Sequence, residues 1–569
     1  MSLIAYSPFG GMVPKADPLT LPPNASQLAI NCRLTAGILE AYNLPWTVFS
    51  PATVNVRTIY RYGQATNSDT DYWFTSDKDV NFVKGAIAND TEERTYYTGD
   101  GYPKVTKADI ATVDQPYPSS SWRLGLPNPG SAIVATVSGS QTTPVTDPVT
   151  GVATETKSIP ETRFYLYTFV SAMGEESGPS PASNEATVYA GQTVSLMLGG
   201  PPSGPYNVTS KRIYRTSVGS NSTDYLFVAE VDVGTGSYDD TTLAENLGEV
   251  MPSLLFNQLP DLARGLTGMA NGMMAAHTDY DVYFCEPFKP YAWPESYIQT
   301  VDYPIVGTAS FGNSLVVLTT GMPYLMTGSD PSSVTVDKLA VPYACLSKRS
   351  ICSALNGVIY AAADGLVCID NSGARVLTDG LMTRREWQGV NPSSMLCAVW
   401  DEKIFIFFKF GEAQGGLILD LANGLTLTDV YATAAYTDPV TGSLFLCVND
   451  RIVKWDAGLA GSFKWWSRKV NISILHNFAY GQVLASSYPQ KMIVHADIED
   501  ATKATAIVAA CPSLVAEGTK VKYTATATDS QPFRLPGGFS ARYWEVEMIG
   551  SGKVFAAMLA DSVGELQRV

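Results

Sequence analysis

Histidine is scarce in this chain: three in 569 residues, at His277, His476 and His495, each in a different segment. With no His-x-x-x-His pair and no His/Cys cluster, the sequence offers no zinc site. Cysteine is also thin. Cys32, Cys285, Cys345, Cys352, Cys368, Cys397, Cys447 and Cys511 are scattered without a C-x-x-C pair. Most lie in or beside apolar runs, where a thiol behaves as a small hydrophobe, so buried reduced cysteines are expected and a disulfide framework is not. There is no G-x-S-x-G elbow, no Walker loop and no dinucleotide fingerprint. No cofactor is expected, and no enzyme. No apolar run approaches the roughly 18–20 residues that cross a bilayer. Met1-Ser2-Leu3 leads straight into a Pro/Gly-rich segment, so no secretory signal is expected. The N-x-[ST] sequences at Asn24, Asn89, Asn207, Asn221 and Asn471 are accordingly expected to stay unmodified.

Charge is sparse as well, at 16% of residues, and its balance is −16. That excludes an outer surface built to grip nucleic acid. Lys348-Arg349 and Arg384-Arg385 are isolated basic pairs. The balance does suit contact with DNA that slides past without adhering.

What the chain has in quantity is apolar and turn-forming residues. Hydrophobic content is 45%, aromatics 11%, with 47 glycines, 35 prolines and more Tyr (30) than Phe (21). Short strands joined by tight turns follow from that mixture, so the expected class is all-β. The length implies roughly three or four domains.

One pattern recurs between Asn271 and Trp466: a turn pair, an apolar strand, a tight turn and a second apolar strand. Asn271-Gly272 opens MMAAHT, Gly312-Asn313 opens SLVVLT, and Asn356-Gly357 opens VIYAAA. Asp401-Glu402 opens KIFIFF and Thr441-Gly442 opens SLFLCV. A spacing of about 40–45 residues with about four strands per unit is the signature of a β-propeller. Each unit buries its strands against its neighbours, and a closed ring satisfies the last edge. An open β-sandwich with accidental spacing is the alternative.

Ahead of this lies an arm. Phe9-Gly10-Gly11 and Pro14, Pro18, Pro22 and Pro23 enforce an extended path. A short helix is expected next, capped by Asn24 with Gln27 at its third position, and with Ala25, Leu28, Ala29 and Cys32 on one face. Gly37 is placed to turn the chain with a positive φ before the strand ILEAY. The arm has little core of its own, so it is expected to pack on another part of the molecule or on a neighbour.

The segment FGGMVPKADPLTLPPNASQLAINCRLTAGILEAY resembles the opening of tail nozzle proteins of short-tailed bacteriophages. The likeness rests on Phe9, Gly10 and Gly11, the prolines, Asn31, and the step from Gly37 to Leu39. It implies a structural and assembly role for those six residues. It also implies a β-propeller protein in a homohexameric ring at the far end of the tail tube, conducting DNA during ejection. The implied place is the virion tail, after assembly in the host cytoplasm. The implied partners are the tail adaptor, tail fibres or spikes, DNA without sequence-specific binding, and transiently the host envelope.

The remaining segments are assigned in order. Residues 1–50 are the arm with its short helix, and 51–125 are a first blade, giving about six blades in all. Within that blade Asp77-x-Asp79-x-Asn81 hints at a calcium loop. Phe82 and Ala88 stand where Gly and Glu are required, so a hairpin turn is expected. Residues 126–250 alternate as in a fibronectin type III or immunoglobulin-like sandwich, for example in RFYLYTFVSAMGEES, with an exposed hairpin at 145–157. Residues 251–470 are the remaining blades, with a helical excursion in LTDGLMTRREWQGV. FKWWSRKV (463–470) is expected to close the ring by pairing with ILEAY. Residues 471–569 alternate in TKVKYTATATDS, ARYWEVEMI and KVFAAMLA and are assigned to a C-terminal sandwich, a stretch that also resembles phage tail segments.

Catalysis by paired carboxylates needs only two groups about 5–10 Å apart. Asp364, Asp370, Asp401, Asp420 and Asp456 are the candidates for a carbohydrate-active or glycan-binding propeller acting on the host surface. Each sits at an expected turn, where Asp bonds locally.

Overall fold

A computed structural model describes the chain except residues 1–2, 64–67, 70–71, 89, 141–148, 151–159, 218–223, 499, 512 and 568–569. Strand makes up 45% and helix 8%, which places the protein in the all-β class. The chain divides into two compact units: residues 1–79, 316–324 and 338–569 in the first, 80–315 and 325–337 in the second.

The first unit contains three antiparallel four-stranded meanders. Cys352–Ala354, Gly357–Ala361, Leu366–Asp370 and Gly373–Val376 form one; Leu396–Trp400, Lys403–Phe410, Ala413–Asp420 and Gly424–Thr428 another. Ala434–Thr437, Leu444–Val448 and Arg451–Lys454 form the third, whose fourth strand is Trp46–Phe49 from the arm. Gly357–Ala361 is buried at every position, as are the first four residues of Leu444–Val448. A strand covered on both faces reads as a continuous apolar run, which is why VIYAAA and SLFLCV stand out in the sequence. Phe405, Phe407 and Ile418 of the second meander share a cluster with Leu444, Leu446 and Val453 of the third. Beyond the third, Phe445, Cys447 and Ile452 pack with Ile59 and Trp73 of a hairpin, Thr58–Arg61 with Trp73–Ser76.

Turn geometry fixes register. Leu355 and Asn356 (φ 53° and 58°), Asp401 and Glu402 (51° and 59°), and Asn449 and Asp450 (50° and 56°) are two-residue loops with both residues left-handed. That is the conformation whose twist matches a hairpin. At the third repeat the loop falls one residue earlier than the sequence pair Asn356-Gly357.

The same unit holds a further sheet and the continuation of the 396–428 one, which face one core. One contains Leu3–Tyr6, Cys32–Arg33, Leu39–Ala41, Tyr480–Ala485, Phe533–Arg534 and Lys553–Ala560. The other runs through Ser26–Ile30, Phe463–Ser467, Ala541–Gly550, Gln490–Asp497, Lys520–Ala527 and Leu514–Glu517. Trp465, Phe478, Met492, Trp544, Met548 and Leu559 fill the space between them.

Three expectations fail here. The residues expected as a helix after Asn24 are the strand Ser26–Ile30, paired with Lys464–Ser467, and Gln27 donates to the Ser467 carbonyl at 2.9 Å instead of closing a capping box. ILEAY does form a strand, Leu39–Ala41, but it pairs with Cys32–Arg33 and Lys553–Ala560. Phe463–Ser467 pairs elsewhere. The single blade expected across 51–125 is two separate sheets: Thr58–Arg61 pairs with Trp73–Ser76, while Asn81–Lys84, Thr95–Thr98, Lys104–Thr106 and Trp122–Arg123 pair in succession as a sheet of their own. Two helices bear on the sequence reading. Arg384–Gly389, with Thr383 and Glu386 in a capping box, lies where the helical excursion was expected; Ala501–Ala510 falls inside the segment assigned to strands.

The second unit contains the 81–123 meander and a second one made of Arg264–Gly268, Met274–His277, Asp281–Phe284 and Gln299–Thr300. They share Tyr96, Val105, Leu124, Leu266, Met274 and Trp293. In 126–250, Val134–Ser138, Thr193–Met197 and Ser237–Asp240 form one sheet, and Tyr165–Ser171, Val208–Thr216 and Tyr225–Asp232 another. Tyr165, Tyr167, Phe169, Val194, Leu196 and Ile213 make their common core. Most of the hairpin expected at 145–157 lies outside the described residues. Ser314–Thr319, the run SLVVLT of the second repeat, is buried at every position.

Candidate functional site

Phe9, Gly10, Gly11 and Gly37 meet in one packed knot of the first unit; Asn31 is held at Leu427, on the strand that Met12 also joins, and Leu39 lies in the core. The cause is backbone pairing. Phe9 N–H donates to the Gly37 carbonyl at 2.8 Å, Gly10 N–H to Asn24 O at 2.7 Å, and Gly11 N–H to Asn423 O at 2.7 Å. Met12 N–H continues the path to Leu425 O at 2.7 Å. The arm is therefore stitched into the edge of the 396–428 meander.

The two glycines are required by close approach. A Cβ on Gly10 would lie 2.8 Å from Asn24 O, and one on Gly11 would lie 2.7 Å from both Asn423 O and Leu425 O. Gly37 has φ +76°, as its expected turn demands, and a Cβ there would collide with Pro8. Asn31 is left-handed (φ 53°). Its N–H donates to Leu427 O at 2.8 Å and its Oδ1 accepts from Asp429 N–H at 3.3 Å. Leu39 is fully buried in the main core, and Phe9 is 1% exposed. Trp465 organises the knot from below. Its Nε1 donates to Gly10 O at 2.9 Å, with Phe9 edge-on at 5.0 Å and Tyr6 at 5.4 Å. Sequence reading missed Trp465 because it lies more than 400 residues downstream.

The candidate carboxylates stand at turns and are engaged there. Asp420 accepts from Ala422 N–H at 2.9 Å and from Asn423 N–H at 3.1 Å. Asp370 accepts from Ser372 N–H at 2.8 Å, and the Ser372 hydroxyl holds its carboxyl below the usual range. Asp456 accepts from Asn43 N–H at 2.7 Å and pairs with Arg33. Asp364 pairs with Arg384 at 3.1 Å and Asp401 with Lys403 at 2.8 Å. Asp401 and Asp420 do line one cleft of about 730 Å³, with Glu402, Asn423 and Asn356. Asp79, from the calcium-like spacing, is paired with Arg57 at 3.4 Å and Arg349 at 3.1 Å. Among the described residues no group of three or more His, Cys, Asp or Glu could hold a metal ion.

His277 is fully buried with Nδ1 2.7 Å from Thr278 O. His495 reaches Glu547 at 3.1 Å and stacks on Trp466. His476 pairs with Asp561. All eight cysteines are free thiols, six of them buried. No helix among the described residues is long and apolar enough to cross a membrane.

No protein-family model matches the chain, and no curated protein matches it. Among solved structures it is similar to Myxococcus xanthus glutaminyl cyclase, at 11% identity over 34% of this chain and 89% of that one, TM-score 0.20. It is similar also to the dihydro-heme d1 dehydrogenase NirN, at 13% over 50% and 58%, TM-score 0.24. PorZ, a bacterial surface component of the type-IX secretion system of Porphyromonas gingivalis, is a third, at 11% over 75% and 44%, TM-score 0.21. Likenesses this distant carry no argument about fold or activity.

Proposed function

We propose that this chain is a non-enzymatic structural virion protein, a subunit of the nozzle ring that extends the tail tube of a short-tailed bacteriophage. In this reading the four-stranded meanders are blades of a β-propeller, about six in number. Residues 126–250 are an inserted fibronectin type III-like or immunoglobulin-like sandwich, and 471–569 belong to a C-terminal one.

The observation that supports it is the knot. Each of the six residues carrying the likeness to nozzle proteins has a backbone or packing role in this chain, which supports the structural part that the likeness implies. The mechanism would be geometric and electrostatic: six copies around a channel, with an acidic wall that keeps DNA phosphates from adhering. The chain's balance of −16 suits such a wall. The tail adaptor and tail fibres or spikes are the expected neighbours, with transient contact to the host envelope, in a virion assembled in the host cytoplasm. Mass photometry tests it. Six-copy particles, or assembly only on tails, supports the ring; a stable monomer beside assembled tails opposes it.

The cleft holding Asp401 and Asp420 favours a second reading, a propeller that binds or cleaves host-surface glycans. Incubation with host polysaccharide, followed by sizing of the chains, separates the two: shortened chains support the enzyme.

A further inference from the structure

Two adjacent glutamates in the 126–250 segment have opposite surroundings. Glu175 and Glu176 follow the strand Tyr165–Ser171 across a turn at Gly174, and they are 3% and 5% exposed. Glu176 accepts from Thr168 Oγ1 at 2.8 Å, Tyr214 OH at 2.7 Å, Ser253 Oγ at 3.0 Å and Arg212 Nη1 at 3.0 Å. Glu175 has no such shell. Its Oε1 is buried without a hydrogen-bond partner, although its backbone is fixed by Ser171 N–H donating to its carbonyl at 2.9 Å. An orphaned buried carboxylate is costly, whereas the neutral acid is far less so.

The loop carrying Glu175 also joins two parts of the unit. Met173 packs on the cluster of Tyr96, Leu124, Met274 and Trp293 that the two meanders share. Gly178 passes so close to Phe256 O and Asn128 that no Cβ fits. We infer that the 172–178 loop is a proton-operated latch: it seats the 126–250 sandwich on the neighbouring meanders while the Glu175 carboxyl is protonated, and loosens when that carboxyl ionises.

The groups facing Glu175 leave it as the one that changes near neutrality. From the 81–106 segment come Arg94 and Asp90, in the connection before Thr95–Thr98, and Tyr96 on that strand. Arg94 is occupied by Asp90, through Nε at 2.9 Å and Nη2 at 3.3 Å, so it offsets only part of the desolvation. Burial pushes Tyr96 well above its usual range, and Tyr291 and Cys285 up to about 12. Glu176, Arg212 and Tyr214 on the sandwich side are bonded to one another. Burial pushes the Glu175 carboxyl itself from 4.5 up to about 7.

The sign follows. A carboxyl whose value is raised in the folded state binds more protons there than in the open state, so opening becomes easier as pH rises between those two values. Hydrogen exchange of the full chain, expressed as protection factors, reads this directly. Protection of peptides covering 165–178 and 251–263 should fall by up to about tenfold per pH unit between pH 5 and 7, then level. Glu175→Gln should abolish that fall and leave the loop at least as protected at pH 8 as wild type at pH 5. Equal slopes in the two proteins, or a wild-type loop whose protection is flat with pH, would overturn the latch. Should the variant not fold, the wild-type profile alone decides.

Discussion

The indole Nε1 of Trp465 donates to the carbonyl oxygen of Gly10 at 2.9 Å, across a separation of 455 residues. That bond ties the arm to the floor of the main core, where Trp465 is fully buried. Trp465→Phe keeps the apolar ring but strands a buried carbonyl. Equilibrium unfolding in urea should show a loss of about 2–3 kcal/mol, of which the unmade bond supplies most.

Gly11 and Gly37 should tolerate nothing larger. Gly11→Ala places a Cβ against the carbonyl oxygens of Asn423 and Leu425, where the turn enters a paired strand. Gly37→Ala adds a collision with Pro8 to a left-handed φ. Each should lower stability by at least about 1–3 kcal/mol and release the arm to proteases, measurable by limited digestion from the N-terminus.

How much of this was legible in the sequence depends on the reach of each interaction. The strands after 356, 401 and 442 could be found because burial on both faces leaves an unbroken apolar run, and hairpin turns announce themselves locally. The arm imitates a helix for a definite reason. Left-handed Asn31 interrupts the strand, so Ala29 and Cys32 face the same core three residues apart and imitate a helical spacing. Nothing local announces a partner strand at 463–467. The same holds for Leu39–Ala41, whose partner Lys553–Ala560 lies some five hundred residues away. The knot residues were visible as a likeness, whereas the tryptophan beneath them was not.

The turn Asp401-Glu402 offers a gain. Both residues are left-handed, and Glu402 is exposed. Glu402→Gly gives the residue pair that this hairpin prefers and should raise stability by about 1 kcal/mol in thermal unfolding.

Glu547 is an acid-sensitive group of the C-terminal sheets. Bonds from His495 at 3.1 Å and Lys464 at 2.8 Å pull its carboxyl from 4.5 down to about 2 despite burial. A depressed carboxyl stabilises the fold above its unfolded value and loses that contribution as pH falls between 4.5 and 2. Glu547→Gln should therefore melt earlier than wild type at pH 7, and the gap should narrow progressively towards pH 2.

Asp401 and Asp420 are expected to act on turns, not on sugars. Asp420→Asn should cost about 1 kcal/mol through weakened local bonding, and neither Asp401→Asn nor Asp420→Asn should change the size of any host polysaccharide incubated with the protein.

The proposed place in the tail nozzle is tested most directly by electron microscopy of tailed virions with an antibody against this chain. The account predicts label confined to the far end of the tail tube, on density with sixfold symmetry. Label on the capsid or on lateral fibres, or its absence from virions, would contradict it.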